Sequence, residues 1–167
     1  EAGSALSRIL INTASNPINI VNGHDDEIFL ALAPMLVDGG LSEKAVAAGI
    51  LGKLSDNRNC LNADNQAVIG QCDRVIPALV ELLQDGTSVG KKNAAEVLLS
   101  LSVNTDNQVA IGQCDGVFLA LVQLLQDGSL NEKANAAGAL GNLAINADNR
   151  VAIGRCDGVF RALVQLM

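Results

Sequence analysis

Aromatic residues are nearly absent from this chain. Its 167 residues include three Phe, no Trp and no Tyr, although apolar residues make up 49% of the total. A chain with this apolar content is expected to be globular and ordered. Because large rings are missing, its core must be built from Ala, Leu, Val and Ile, and these small side chains favour closely packed helices.

Positive charge and long apolar runs are also scarce. Eleven Lys and Arg stand against 18 Asp and Glu, which gives a formal net charge of −7. Nucleic-acid-binding domains usually carry a basic face, so we expect no nucleic-acid partner. No apolar run approaches the roughly 20 residues that a membrane-spanning helix needs, and no signal peptide is visible. The composition therefore predicts a chain without a membrane span.

What the sequence has instead is a repeat. Residues 106–125 and 148–167 differ at four positions, which are Gln108/Arg150, Gln113/Arg155, Leu119/Arg161 and Leu125/Met167. Segment 64–105 aligns with segment 106–147 without a gap, and residues 2–13 resemble residues 136–147. An earlier copy aligns after allowance for five extra residues near Asn57–Leu61. The predicted units are a half repeat 1–16, repeats 17–63, 64–105 and 106–147, and a half repeat 148–167.

Each unit shows the pattern of three helices. Asp106 and Asp148 are expected N-caps of a short first helix that ends near the unit's cysteine. A break at Asp115-Gly116 precedes a stripe of apolar residues at helical spacing, which predicts a second helix over 117–126. Asp127-Gly128 is expected to end that helix, with Gly as a left-handed C-cap. An Ala-rich third helix is predicted over 131–145.

A repeat period of about 40–47 residues is typical of helical solenoids. None of the predicted helices can bury its apolar stripe alone, so each unit is expected to stack on the next. The sequence VIPALVELLQDG at 75–86, followed in the next unit by NAAGALGNLA at 135–144, resembles the armadillo repeat of the vacuolar and importin-α-like long-array type. The chain departs from the family pattern in keeping the Pro of the second helix only at Pro77.

The resemblance implies an all-α, right-handed armadillo-type α-solenoid with units of about 42 residues and three helices each. In the family, a groove Asn on the third helix holds the backbone of an extended peptide, and a Trp one turn earlier packs against its side chains. The matching Asn column here is Arg8, Lys53, Ser100 and Asn142, and the matching Trp column is Ser4, Gly49, Glu96 and Gly138. The lost aromatic wall and the basic Arg8 and Lys53 count against binding of a basic nuclear-localisation signal.

A column of lysines, Lys44, Lys91 and Lys133, stands near the start of the third helix. Three aligned ammonium groups would suit an acidic or carboxylate-bearing partner, and the alternative is that they are ordinary solvated positions. At the C-terminal end, no third helix follows Leu163, Val164, Leu166 and Met167 in this sequence. We expect that face to be covered by further repeats or by another subunit, because a wet apolar face is costly.

The cysteines recur at one place in each unit, at Cys72, Cys114 and Cys156. Neighbouring units lie about 10 Å apart, which exceeds the roughly 7 Å between bridgeable Cα atoms. No set of metal ligands converges on them. We predict buried, reduced and metal-free thiols, which favours an intracellular, reducing compartment, most simply the cytoplasm or nucleus, with an organelle left open. The only histidine, His24, is predicted to lie on an exposed helix end.

Three functions follow, and none involves a catalytic residue or a cofactor. The first is a non-catalytic protein-interaction scaffold that binds an acidic or neutral segment on the concave third-helix surface. The second is a structural linker that binds through its open ends and outer faces. The third is a transport receptor of the importin-α kind.

Overall fold

The computed structural model describes residues 25–55, 62–72 and 74–165. In these ranges every regular element is a helix, so the fold is all-α, as predicted. In chain order they are α1 (Asp25–Asp38), α2 (Leu41–Ser55), α3 (Asn62–Gln71), α4 (Val75–Asp85), α5 (Ser88–Leu101), α6 (Thr105–Gly112), α7 (Val117–Asp127), α8 (Leu130–Leu143), α9 (Ala147–Arg155) and α10 (Val159–Val164). The half repeat 1–16, His24, Cys60 and the extra residues at 57–61 lie outside the described part.

Helices of three kinds recur along the chain. The first helices are α3, α6 and α9, the second helices are α1, α4, α7 and α10, and the third helices are α2, α5 and α8. Each helix contacts the helix of the same kind in the next unit, and each third helix also contacts the second helix before it. Residues 42 positions apart in the later units therefore occupy equivalent places.

The core of the described part is aliphatic, as the composition predicts. Its fully buried large side chains are Leu, Ile and Val, and small Ala residues lie between the helices. Phe118 is only partly buried against this core. Small side chains allow the third helices to pack closely, so that burial of many aliphatic groups replaces the contribution of large rings.

The turns before the second helices α4, α7 and α10 each contain a residue with a left-handed backbone. Gly116 and Gly158 have φ angles of 78° and 83°, and Arg74 holds the same place with a φ of 70°. The predicted left-handed C-cap at Gly128 is wrong, because its φ is −71° in an extended conformation. Glycine is needed there for space, since a Cβ would press on the carbonyl oxygen of Leu124.

The first helices α6 and α9 begin earlier than predicted, with each N-cap two residues before the expected one. The N-caps are Asn104 and Asn146, not Asp106 and Asp148. The Asn104 side chain accepts hydrogen bonds from the backbone N–H groups of Asp106 and Asn107, at 2.9 and 3.1 Å. The two aspartates lie exposed in the first turn, where a negative charge favours the helix dipole.

The asparagine after each of these aspartates joins neighbouring units. Asn107 is buried, and its Nδ2 donates to the carbonyl oxygen of Gln66 in the previous first helix at 2.8 Å. Its amide lies across Gly70, where a Cβ would overlap it. Asn149 repeats the arrangement with Gln108 and Gly112. We call each set of an asparagine, a carbonyl and a glycine an asparagine lock.

The residue that follows Asn65, Asn107 or Asn149 donates a hydrogen bond to the end of the preceding third helix. Gln66 and Gln108 are buried, and their Nε2 atoms donate to the carbonyl oxygens of Ser55 and Ser102 at 3.0 Å. In the last unit Arg150 replaces the glutamine, and its guanidinium donates to the corresponding carbonyl of Ala144 at 3.0 Å. These bonds satisfy carbonyls that a helix end leaves without an intrahelical partner.

Candidate partner-binding surface

The third helices α2, α5 and α8 lie side by side and carry three of the four residues in the predicted Asn column. Lys53 is exposed, whereas Ser100 and Asn142 are half-buried. Asn142 Nδ2 donates to the hydroxyl of Ser102 at 3.1 Å, so this amide links α8 to the end of α5. The fourth residue, Arg8, lies outside the described residues.

Two of the four positions that match the aromatic wall, Gly49 and Gly138, face side chains of the neighbouring third helix. A Cβ at Gly49 would lie 2.8 Å from Nδ2 of Asn93, which donates to the carbonyl oxygen of Ala45 at 2.9 Å. A Cβ at Gly138 would lie 2.8 Å from Leu99 Cδ1. At these two glycines the side chains of the adjacent third helix lie where a Cβ would stand, so a larger residue would require Asn93 or Leu99 to move.

The lysine column does not form three open ammonium groups. Lys44 is buried, and its Nζ lies 3.0 Å from Oε2 of Glu81 on α4, whose side chain is 59% exposed. Lys91 and Lys133 are half-buried, and in the described part neither makes an ion pair. Lys91 lacks the ion pair that Lys44 forms because the position equivalent to Glu81 in the next unit is Gln123.

Apolar side chains border the two ends of this surface. Leu130 at the start of α8 is 83% exposed, and Ile145 just after α8 is 67% exposed. Val89 and Val103 are exposed at the two ends of α5. Exposed apolar residues near polar and basic groups are typical of interaction surfaces.

The cysteines are half-buried, not buried as predicted. Cys114 and Cys156 pack against the core at the ends of the first helices α6 and α9. Burial raises the pKa of both thiols, and the adjacent carboxylates of Asp115 and Asp157 raise it further. Among the described residues, no three His, Cys, Asp or Glu side chains are placed to hold a metal ion.

An open groove of about 570 Å³ lies away from the third helices, and the sequence had not indicated it. It runs between α4 and the turns after α3 and α6. Its lining includes the apolar Ile76, Pro77 and Val80 and the charged Arg74, Glu81 and Asp115. Arg74 pairs weakly with the exposed Asp38, with 3.4 Å between Nη2 and Oδ1.

In the described part, the C-terminal face exposes side chains whose counterparts in the inner units are buried. Val80 and Val122 are 3% and 1% exposed, but the equivalent Val164 is 69% exposed. Phe160 is also 69% exposed, and Leu163 is 39% exposed, whereas its counterpart Leu121 is fully buried. Leu166 and Met167, the other two predicted end-face residues, lie outside the described residues.

Comparisons with protein-family models, with curated proteins and with solved structures gave no match to this chain. In the described part, no single helix has the length and apolar character of a membrane span. One pair of helices, α6 and α7, passes that test jointly, but the two are bent by 92° at the break between them.

Proposed function

We propose that the chain is an armadillo-type, right-handed α-solenoid that works as a non-catalytic protein-interaction scaffold. The observation that carries this proposal is the stacking of like helices, in which α2 packs on α5 and α5 packs on α8. Such stacking gives one surface shared by successive units, and extended surfaces of this kind suit a long protein segment. The partner is held on the concave side formed by the third helices.

The charges on this surface favour an acidic or neutral segment. Lys91 and Lys133 have no carboxylate partner in the described part, and Lys53 is exposed in the last turn of α2, toward the other end of the same surface. Lys44 is excluded from this role because its ammonium is held by Glu81. The exposed Val89 and Leu130, which lie within three residues of Lys91 and Lys133 in the first turns of α5 and α8, supply apolar contacts beside these lysines.

Two labelled peptides of equal length test this proposal, one with alternating Glu and Ala and one with Lys in place of Glu. We expect the acidic peptide to bind more tightly, and the difference to shrink as salt is added. Replacing Lys91 and Lys133 with Gln should weaken its binding by up to about fivefold for each residue, since an exposed ion pair contributes at most about 1 kcal/mol.

The matched control is Arg161→Gln, which removes one exposed cation from the second-helix side on α10. Its affinity should equal that of the unchanged chain. Tighter binding of the basic peptide would contradict the proposal, and so would an equal loss in the control variant.

A second function, the structural linker, is favoured by the open C-terminal face. Phe160 and Val164 expose large apolar areas on α10, at positions that the next unit covers elsewhere in the chain. We propose that this face, together with the outer faces, connects the chain to a neighbouring helical body. The importin-α-like alternative has less support, because Asn93 and Leu99 fill the places that an aromatic wall would need.

A further inference from the structure

Two asparagine locks are occupied in the described part of the chain, and a third site of the same kind is open there. The carbonyl of Gln66 with Gly70 takes Asn107, and the carbonyl of Gln108 with Gly112 takes Asn149. The equivalent pair on α9 is Arg150 and Gly154. Nothing in the described part lies within 4 Å of the place where a Cβ on Gly154 would stand.

Among the described helices, the last third helix, α8, likewise lacks a neighbour at a position that is covered on α2. A Cβ on Gly52 of α2 would contact Val97 and Glu96 of α5 at 3.6 and 3.8 Å. The equivalent Gly141 of α8 has nothing within 4 Å in the described part. Gly52 is buried, and Gly141 is exposed.

The last first helix, α9, and the last second helix, α10, also expose residues whose counterparts in the preceding unit are buried. Ile111 on α6 is fully buried, and its equivalent Ile153 on α9 is only half-buried. Val122 on α7 is buried, whereas its equivalent Val164 on α10 is exposed. Thus α8, α9 and α10 all expose the side that a following unit covers in the inner copies.

We propose that this end face, formed by Gly141, Ile153, Gly154, Phe160 and Val164, is a docking site for a further helical unit of the same repeat. The unit's first helix brings an asparagine amide across Gly154 to the carbonyl oxygen of Arg150. Its second helix covers Val164, and its third helix packs on Gly141. This inference rests on the proposed linker function of the C-terminal face. The occupant is identified as a repeat unit because the same contacts join the inner units to one another.

The polar part of the site distinguishes this occupant from a generic apolar partner. A carbonyl that already belongs to a helix accepts a second hydrogen bond only where the adjacent residue leaves space, and glycine one turn later provides that space at all three sites. Lipid or a flat apolar surface would cover Val164 and Phe160 without supplying the amide.

The test is an extended chain in which a second copy of residues 126–167 follows Met167, so that the repeat register continues. We expect hydrogen exchange of the α9 and α10 amides to slow by at least about tenfold relative to the unextended chain. Gly154→Ala should lower the Tm of the extended chain, because the appended asparagine then meets a methyl group. In the unextended chain the same substitution should leave the Tm unchanged or raise it.

The matched control replaces only the appended copy of Asn149 with Ala, which should remove the Tm penalty of Gly154→Ala. Gly112→Ala in the unextended chain tests the inner lock by itself, so failure of the repeat architecture is distinguishable from failure of the docking site. The proposal is overturned if the appended unit leaves α9 and α10 unprotected, or if Gly154→Ala acts equally in both chains.

A second copy of the chain is the competing occupant. Sedimentation of the unextended chain over a range of concentrations tests for it, with Val164→Lys as the comparison variant. A dimer that Val164→Lys abolishes would show that the face pairs with another copy and would overturn the assignment to a repeat unit. A monomer whose α9 and α10 amides gain protection only after extension supports the assignment.

Discussion

Asn149 donates its side-chain amide to the carbonyl oxygen of Gln108 at 2.7 Å, across the bare backbone of Gly112. The donor and acceptor lie 41 residues apart, and Asn107 with Gln66 repeats the relationship one unit earlier. The bond is buried and joins one first helix to the next. It therefore couples each unit's register to that of its neighbour.

The lock predicts opposite effects for the same substitution at two equivalent glycines. Gly112→Ala places a methyl group against the Asn149 amide, and we expect a loss of about 1–3 kcal/mol in the free energy of unfolding. Gly154→Ala meets nothing in the described part and should gain about 0.5–1 kcal/mol, because Ala favours helix. Urea denaturation of both variants measures the difference, and equal effects would be inconsistent with the lock.

Removing the amide itself should also destabilise the chain. Asn107→Ala leaves a cavity beside Gly70 and deletes a buried hydrogen bond, which should cost about 1–3 kcal/mol. The control is the neighbouring Asp106→Ala, which removes an exposed first-turn charge and should cost at most about 1 kcal/mol. A smaller loss for Asn107→Ala than for Asp106→Ala in urea denaturation would show that the buried amide contributes little.

Arg74 is a site where a substitution should stabilise the chain. It holds a φ of 70° that its counterparts Gly116 and Gly158 adopt without a Cβ penalty. We expect Arg74→Gly to gain up to about 1 kcal/mol, because relief of the left-handed strain outweighs the loss of a weak exposed ion pair with Asp38. Arg74→Lys keeps the strain and should show no gain in thermal denaturation. A loss of stability in Arg74→Gly would mean that the side-chain contacts of Arg74 outweigh its backbone strain.

The thiols of Cys114 and Cys156 should react slowly. Burial raises the pKa of both, and the adjacent aspartates add to the effect, so less thiolate is present near neutral pH. Alkylation by iodoacetamide, followed by peptide mass spectrometry, should show a higher pH midpoint in the native chain than in urea. A native midpoint at or below that of the unfolded chain would contradict the raised pKa values.

The same shift has a consequence for stability. The folded chain holds these thiol protons more tightly than the unfolded chain, so stability falls as the pH rises above the ordinary thiol pKa of about 8.5. Asp115→Asn removes one cause of the shift at Cys114 and leaves Cys156 as an internal reference. In this variant the pH midpoint for alkylation of Cys114 should move toward the value measured in urea.

The sequence by itself determined the helical composition of this protein. Apolar spacing and the Asp-Gly breaks predicted a second helix over 117–126, and the structure has α7 at Val117–Asp127. The third helix was expected over 131–145 and is found at Leu130–Leu143. These predictions succeed because helix boundaries depend on local periodicity and on turn residues, which are visible within a few positions of the chain.

Contacts between units were decided only by the tertiary structure. The recurring Asp-Asn pairs indicated capping, yet Asn107 and Asn149 act on carbonyls 41 residues away. Nothing in the sequence distinguished the three lysines of the column from one another. In the structure Lys44 forms an ion pair with Glu81, and the position equivalent to Glu81 in the next unit is Gln123. Equal positions in a repeat share a backbone environment, whereas the partner of each side chain depends on which residue the adjacent unit brings to it. That residue is distant in the sequence, and only the packed fold shows which one it is.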